Sequence, residues 1–245
     1  MTALSPGLRL PARAVTWVVL VVAALAWVSL TLPSGHHGHG LATWSALGGW
    51  AVMVVAMMLP PALPMLTMLR ALVGRRRLPM LLVGVGAVTY VGIWTVVGAV
   101  LLCAAAAVQM VAGQVPWLGA HPAVLTGAAM LIAGVYQFSP VKDACLTACR
   151  SPRSFAVAHW RGVNSPATET ATIAATYAMS CVGCCVALMG VSVTAAGAAL
   201  PVMVLLAVVM AAERLLVRGR RLVRPVGFAL LAGAIALVAG SLLAG

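Results

Sequence analysis

Residues Met80 to Val108 read MLLVGVGAVTYVGIWTVVGAVLLCAAAAV, a run without one charged side chain. A helix of about 20 apolar residues crosses a hydrocarbon core of about 30 Å, so this stretch is long enough to span a bilayer alone. Its apolar residues are continuous rather than alternating, which fits a helix and not a barrel strand. Working outward in both directions, comparable runs recur near Val15 to Leu32, Trp44 to Leu59, Pro122 to Phe138, Ala171 to Thr194, Leu200 to Leu216 and Val226 to Leu243. The chain is 63% hydrophobic and only 7% charged, with a mean hydropathy of +1.11. A water-soluble core cannot hide that balance. The expected fold class is therefore all-α, a polytopic transmembrane helix bundle of about seven spans.

The formal charge of +12 would point to nucleic acid in a soluble protein, but its distribution gives it another meaning. With the N-terminus in the cytoplasm, Arg9, Arg13, Arg70, Arg75, Arg76 and Arg77 fall on the inner side. So do Lys142, Arg150, Arg153, Arg161, Arg214, Arg218, Arg220, Arg221 and Arg224, which places all 15 basic residues there. The positive-inside rule thus predicts a cytoplasmic N-terminus and a multi-pass protein of the bacterial inner (plasma) membrane. The partners expected are the lipid bilayer and a metal ion, not nucleic acid. The first run is expected to stay as an anchor helix, because it exceeds a usual signal-peptide core and no A-x-A site follows before Pro33.

A single integral membrane domain over 1–245 is expected, with a cytoplasmic stretch over 139–169 that carries most of the unusual residues. Within it, Ser139-Pro140 predicts an N-cap and first helical position, and Ser151-Pro152 predicts a stop, so a short helix should run from Pro140 to Arg150. An outer loop contains His36, His37 and His39 among glycines. Such tracts are compositional evidence only, and a solvated loop is favoured over a metal collector.

In the fifth run, Cys181, Cys184 and Cys185 stand at i, i+3 and i+4 on one helical face, with Met189 a turn further along it. Counted from Ala171 at about 1.5 Å per residue, these thiols should lie close to mid-membrane. Clustered thiols are soft ligands suited to Cu(I), with Zn(II) as the alternative. The bland reading is that small cysteines and Gly183 merely permit close helix packing. Cys145 and Cys149 are one turn apart on the short cytoplasmic helix, where they can share a metal or exchange thiols, or stay inert. In the second run, Met53 and Met57 share a face, Met58 follows, and Pro60, Pro61 and Pro64 break the helix beyond them. Thioethers there can complete a Cu(I) pocket or simply fill core gaps. Cys103 has no sequence partner and is expected to pack, and the isolated His121 and His159 are expected to be interface or loop residues rather than ligands. Glu213 is accounted for by snorkelling or pairing near a helix end.

Three blocks carry a resemblance: Trp50-x-x-Met53-x-x-Ala56-Met57-Met58-x-Pro60; Tyr136-Gln-x-x-Pro140-x-Lys142-x-x-Cys145-Leu-x-x-Cys149-Arg150-x-Pro152; and Cys181-x-Gly183-Cys184-Cys185-x-Ala187-Leu188-Met189. In this order they resemble a bacterial family of predicted metal-binding integral membrane proteins, some of whose members carry the label copper chaperone. The likeness extends from about Trp44 to Arg214. The chain departs from the usual pattern in Tyr177-Ala-Met-Ser180, which lacks a glycine-rich approach, and in Glu213-Arg214, where Glu-Lys is more usual. The resemblance implies a metal-linked role for these Cys and Met positions.

The expectation taken forward is a membrane-embedded protein that handles or delivers Cu(I), or Zn, on Cys181, Cys184 and Cys185 with Met53, Met57, Met58 and Met189. Cys145 and Cys149 would form a cytoplasmic relay, and a metal-donating or metal-accepting protein would be the partner. No covalent catalysis is required. The rivals are a membrane thiol-disulfide oxidoreductase and a non-catalytic assembly subunit.

Overall fold

The computed structural model describes residues 12–31, 42–74, 76, 78–121, 123–160, 163–194 and 199–243. The loop with His36, His37 and His39 lies outside them. The described residues form eleven α-helices: α1 Ala12–Thr31, α2 Ala42–Met58, α3 Leu63–Leu72, α4 Pro79–Gly113, α5 Pro116–Ala120, α6 Ala123–Tyr136, α7 Pro140–Arg150, α8 Pro152–His159, α9 Pro166–Thr194, α10 Ala199–Leu215 and α11 Val223–Leu243. There is no strand among the described residues.

Proline punctuates this fold. α4, α5, α7, α8 and α9 all begin on one, because its fixed φ suits a first turn and its missing N–H is one that a helix start leaves unpaired anyway. Ser139 caps α7 by accepting from the Lys142 amide at 3.1 Å, and Ser165 caps α9 by accepting from Thr168 at 3.2 Å. α7 ends where Ser151-Pro152 predicts, but Pro152 also opens α8. The same ring that stops one helix starts the next. α9 likewise begins five residues before the predicted Ala171, because Ser165-Pro166 supplies both cap and first position.

Among the described residues four helices are long and apolar enough to cross a membrane: Arg13–Thr31, Pro79–Gly113, Pro166–Thr194 and Gly219–Leu243, the last including the short 3-10 turn before α11. The number rises to six if each of two bent pairs crosses as one. These are Ala46–Met58 with Pro60–Leu72, bent by 52°, and Ala123–Tyr136 with Pro140–Arg150, bent by 71°. The first bend falls on the Pro60–Ala62 turn, where the prolines interrupt the backbone ladder. Large apolar side chains such as Val88, Val96, Ile132, Phe228 and Ile235 point outward, as expected where lipid rather than water is the neighbour.

α9 is the axis of the molecule. It packs against α4 along much of its length and against α6, α7, α8 and α10 on other sides. α11 completes the bundle against α6, and α1 lies on α2 and α3. Small residues set two of these contacts. A Cβ at Gly98 would strike the Trp50 ring, and one at Gly134 would approach Leu231 to 2.9 Å. Glycine at both positions lets the helices meet closely, as membrane helices commonly do. Trp50 is held there by its indole N–H, which donates to the Trp94 carbonyl at 2.7 Å.

Candidate metal centre

The helical period carries Cys181, Cys184, Cys185 and Met189 to the inward face of α9, where all four are buried. A fourth thiol joins them from a different helix. Cys149 on α7 lies 3.8 Å from Cys184, Sγ to Sγ, and the Sγ atoms of Cys149, Cys181 and Cys184 all fall within 4.8 Å of one another. Cys185 adds a further sulfur 3.2 Å from Cys184, outside that mutual triangle. Every cysteine is a free thiol. Three soft donors at this separation can close on one ion, whereas a structural zinc site takes four ligands.

What brings α7 here is a set of buried polar contacts to the end of α10. Lys142 Nζ pairs with Glu213 Oε2 at 2.8 Å, both side chains being 1% exposed, and Gln137 Nε2 donates to Glu213 Oε1 at 3.3 Å. Glu213 therefore does not snorkel, because its carboxylate is enclosed and paired. At the other end of α7, the Arg150 guanidinium donates to the carbonyls of Glu213, Arg214, Leu216 and Val217. The Glu213 and Arg214 carbonyls lie in the last turn of α10, where a helix leaves its carbonyls unpaired, and the Leu216 carbonyl beyond it also accepts from the Gly219 N–H at 2.9 Å. Gly219 leaves room for this fork, since a Cβ there would meet Arg150 Nη1 at 2.7 Å. The exposed Arg220–Asp143 pair adds little to this clamp.

Tyrosines line the thiols. Tyr90 Oη lies 2.8 Å from Cys181 Sγ and 3.4 Å from the Met58 carbonyl, at the end of α2. Tyr177 Oη donates to the Cys149 carbonyl at 3.1 Å and accepts from Arg214 Nη2 at 3.2 Å. Tyr136, the last residue of α6, donates to the Gly183 carbonyl at 2.6 Å. The cluster is thus level with the C-terminal ends of α2, α6 and α10 rather than midway along them. Those ends carry partial negative charge, which favours a cation among them.

Cys145, half-buried, sits one turn before Cys149 with its sulfur directly over Gly183, where a Cβ would collide with it. The two cysteine groups of the sequence therefore meet at one place instead of forming separate sites. The methionines are arranged differently. Met53 Sδ accepts from Ser192 Oγ at 3.9 Å, about 12 Å along α9 from Cys184 by helical rise. Met57 and Met58 are buried beside the bend, with Met57 one turn nearer the thiols than Met53. Cys103 is exposed on α4. His121 stacks on Trp117 and His159 on Phe155, each with Nδ1 2.8 Å from the carbonyl of its stacking partner. Tyr90, Tyr177 and Arg214 were not among the expected site residues, the last two standing in the sequence only as departures from the family pattern. Their one signal was polar groups within or at the end of apolar runs.

The pattern of thiols, lysine, glutamate and arginine that builds this centre runs through most of the chain. A protein family described as PpoB2, copper chaperone, matches residues 47–237. The chain belongs to this family. No curated protein and no solved structure matches it. The stretch shared with the copper chaperone family includes the thiol triangle, Cys145, Cys185 and the Lys142–Glu213 pair that holds α7 in place. Membership of that family and the cysteine cluster agree in pointing to metal handling.

Proposed function

We propose that the protein is a seven-span inner-membrane copper chaperone that holds one Cu(I) on Cys149, Cys181 and Cys184 and passes it to another protein. One observation carries the reading. Thiols from two helices, separated by more than 30 residues of sequence, converge in a buried, disulfide-free triangle. Burial protects Cu(I) from water and oxidant, and closely spaced sulfurs favour a soft monovalent ion. Cys185 is the reserve ligand, and Cys145, the least buried thiol of the group, is the way in and out. Met57, Met58, Met189 and then Met53 form a thioether lining further along, where copper can rest without a thiolate's charge. Zn(II) is the competing cargo and would need a fourth donor beyond the triangle.

The seventh span is α10, whose 17 residues fall just short of a conventional crossing length. With the N-terminus inside, α2, α6 and α10 all run from the outer face inward, so their C-terminal ends and the thiols they surround lie toward the cytoplasm. With α3 and α7 bent away at the inner ends of α2 and α6, which make those two crossings themselves, the stretch 139–169 forms the cytoplasmic cover of a single membrane domain. Copper is exchanged on that side.

Metal content by mass spectrometry tests this, on the full chain purified in mild detergent under anaerobic, reducing conditions. Copper near one per chain is expected in the parent. A variant with Cys181, Cys184 and Cys185 all replaced by Ser should carry none. The 3.8 Å between Cys149 and Cys184 also suits a reversible disulfide, the mark of an oxidoreductase. A metal-free parent whose thiol count changes with redox poise would favour that second reading. A parent silent in both respects would leave an assembly subunit.

A further inference from the structure

Arg214 is enclosed in the protein interior, 5% exposed, one residue before the end of α10. Its Nη2 donates to Tyr177 Oη at 3.2 Å, and its guanidinium carbon lies 5.9 Å from the centre of the Tyr177 ring. Its Nε and Nη1 are buried without any hydrogen-bond partner. The neighbouring carboxylate of Glu213 is taken by Lys142 and Gln137, and no carboxylate pairs with Arg214 among the described residues. A guanidinium so placed is costly unless an anion faces it. The groups that feel its charge are Cys149, Cys181, Cys184, Tyr90 and Tyr177, the thiol triangle and its two tyrosines.

We propose that Arg214 is the counter-cation of the metal centre, balancing the negative charge that thiolate ligands leave on bound Cu(I) and thereby favouring Cu(I) over Zn(II). This rests on the reading that the triangle holds metal. Each thiolate brings one negative charge as its proton departs to the buffer, and Cu(I) returns only one positive charge. Two thiolates around Cu(I) leave a net −1 and three leave −2. The same ligands around Zn(II) leave 0 and −1. On the same three thiolates, with the fourth position of Zn(II) filled by a neutral donor, the Cu(I) centre is one charge more negative, and a fixed cation beside it stabilises that centre more. Lys142 and Arg150 cannot serve, since their charges are engaged by Glu213 and by the end of α10. Arg214 is thus a positioning and specificity residue that need not touch the metal.

The test compares Cu(I) and Zn(II) affinities of the parent, Arg214→Gln and Arg214→Lys, each a full chain in detergent, by competition with a coloured chelator for each metal. Arg214→Gln is expected to weaken Cu(I) binding roughly 10- to 100-fold, from one charge pair several ångströms apart in a partly screened interior. Zn(II) binding should fall by roughly tenfold less than Cu(I) binding, and Arg214→Lys should restore Cu(I) affinity to within about tenfold of the parent. Should the Gln variant not fold, Arg214→Met supplies the neutral side chain. Equal losses for both metals would make Arg214 a structural brace and overturn the proposal. So would unchanged Cu(I) affinity in the neutral variant, or a Lys variant as weak as the neutral one. A parent that binds neither metal would remove the functional reading itself, an outcome distinct from these.

Discussion

Cys149→Ser is expected to lower Cu(I) affinity by more than about 100-fold while leaving the helix bundle intact. Loss of a hydrogen-bond partner behind a metal ligand already costs roughly 10- to 100-fold, and here a sulfur ligand itself is replaced by a harder hydroxyl. The substitution keeps size and shape, and α7 stays docked because Lys142, Arg150 and the Tyr177 bond to the Cys149 carbonyl are untouched. Two thiols of the triangle, Cys181 and Cys184, remain on α9 with Cys185 beside them, so weak binding should persist. The same change at Cys103, exposed on the far part of α4, should have no effect on affinity. Competition titration against a Cu(I) chelator measures both. Parent-like affinity in Cys149→Ser would show that α7 is not part of the centre.

Breaking the Lys142–Glu213 pair is expected to cost more stability than any other single polar change. Both partners are enclosed, so Lys142→Met strands the Glu213 carboxylate with only the Gln137 amide beside it. Removing one member of a buried pair typically costs about 3–5 kcal/mol, because the charge left behind has no solvent and no partner. Replacing both, as Lys142→Met with Glu213→Leu, should recover most of that loss, since an apolar pair of similar volume needs no compensation. Arg150 still holds the other end of α7 in the double variant, so copper affinity should recover with stability. Unfolding in detergent, followed by circular dichroism, checks the sequence of parent, single and double variants. A single variant within about 1 kcal/mol of the parent would mean that water reaches this pair.

The helices themselves were legible because the cue is local. Continuous apolar runs and Ser-Pro starts predict α7 at Pro140–Arg150, as observed. The shared face of Cys181, Cys184 and Cys185 follows from helical period alone. The union of Cys149 with them does not, because it depends on Lys142 meeting Glu213 across 71 residues of sequence. Nothing in either segment encodes that distance. The place of the thiols relative to the neighbouring helices was not legible for a related reason. Counting from Ala171 places the thiols midway, yet α9 begins at Pro166 and its first turns reach beyond the ends of α2, α6 and α10. Arg214 counts as one more basic residue beside the cytoplasm until the fold encloses it. The methionines were legible as a face of α2, but not as a row that meets α9 at Ser192, beyond the cysteines.

The most direct test of a shared Cu(I) centre on α7 and α9 is copper-edge X-ray absorption on the loaded full chain, beside its Cys149→Ser variant. The expected spectrum is that of Cu(I) with sulfur neighbours alone, and the sulfur number should fall by one in the variant. A first shell of nitrogen and oxygen, or a sulfur number that does not change when Cys149 is replaced, would contradict the account.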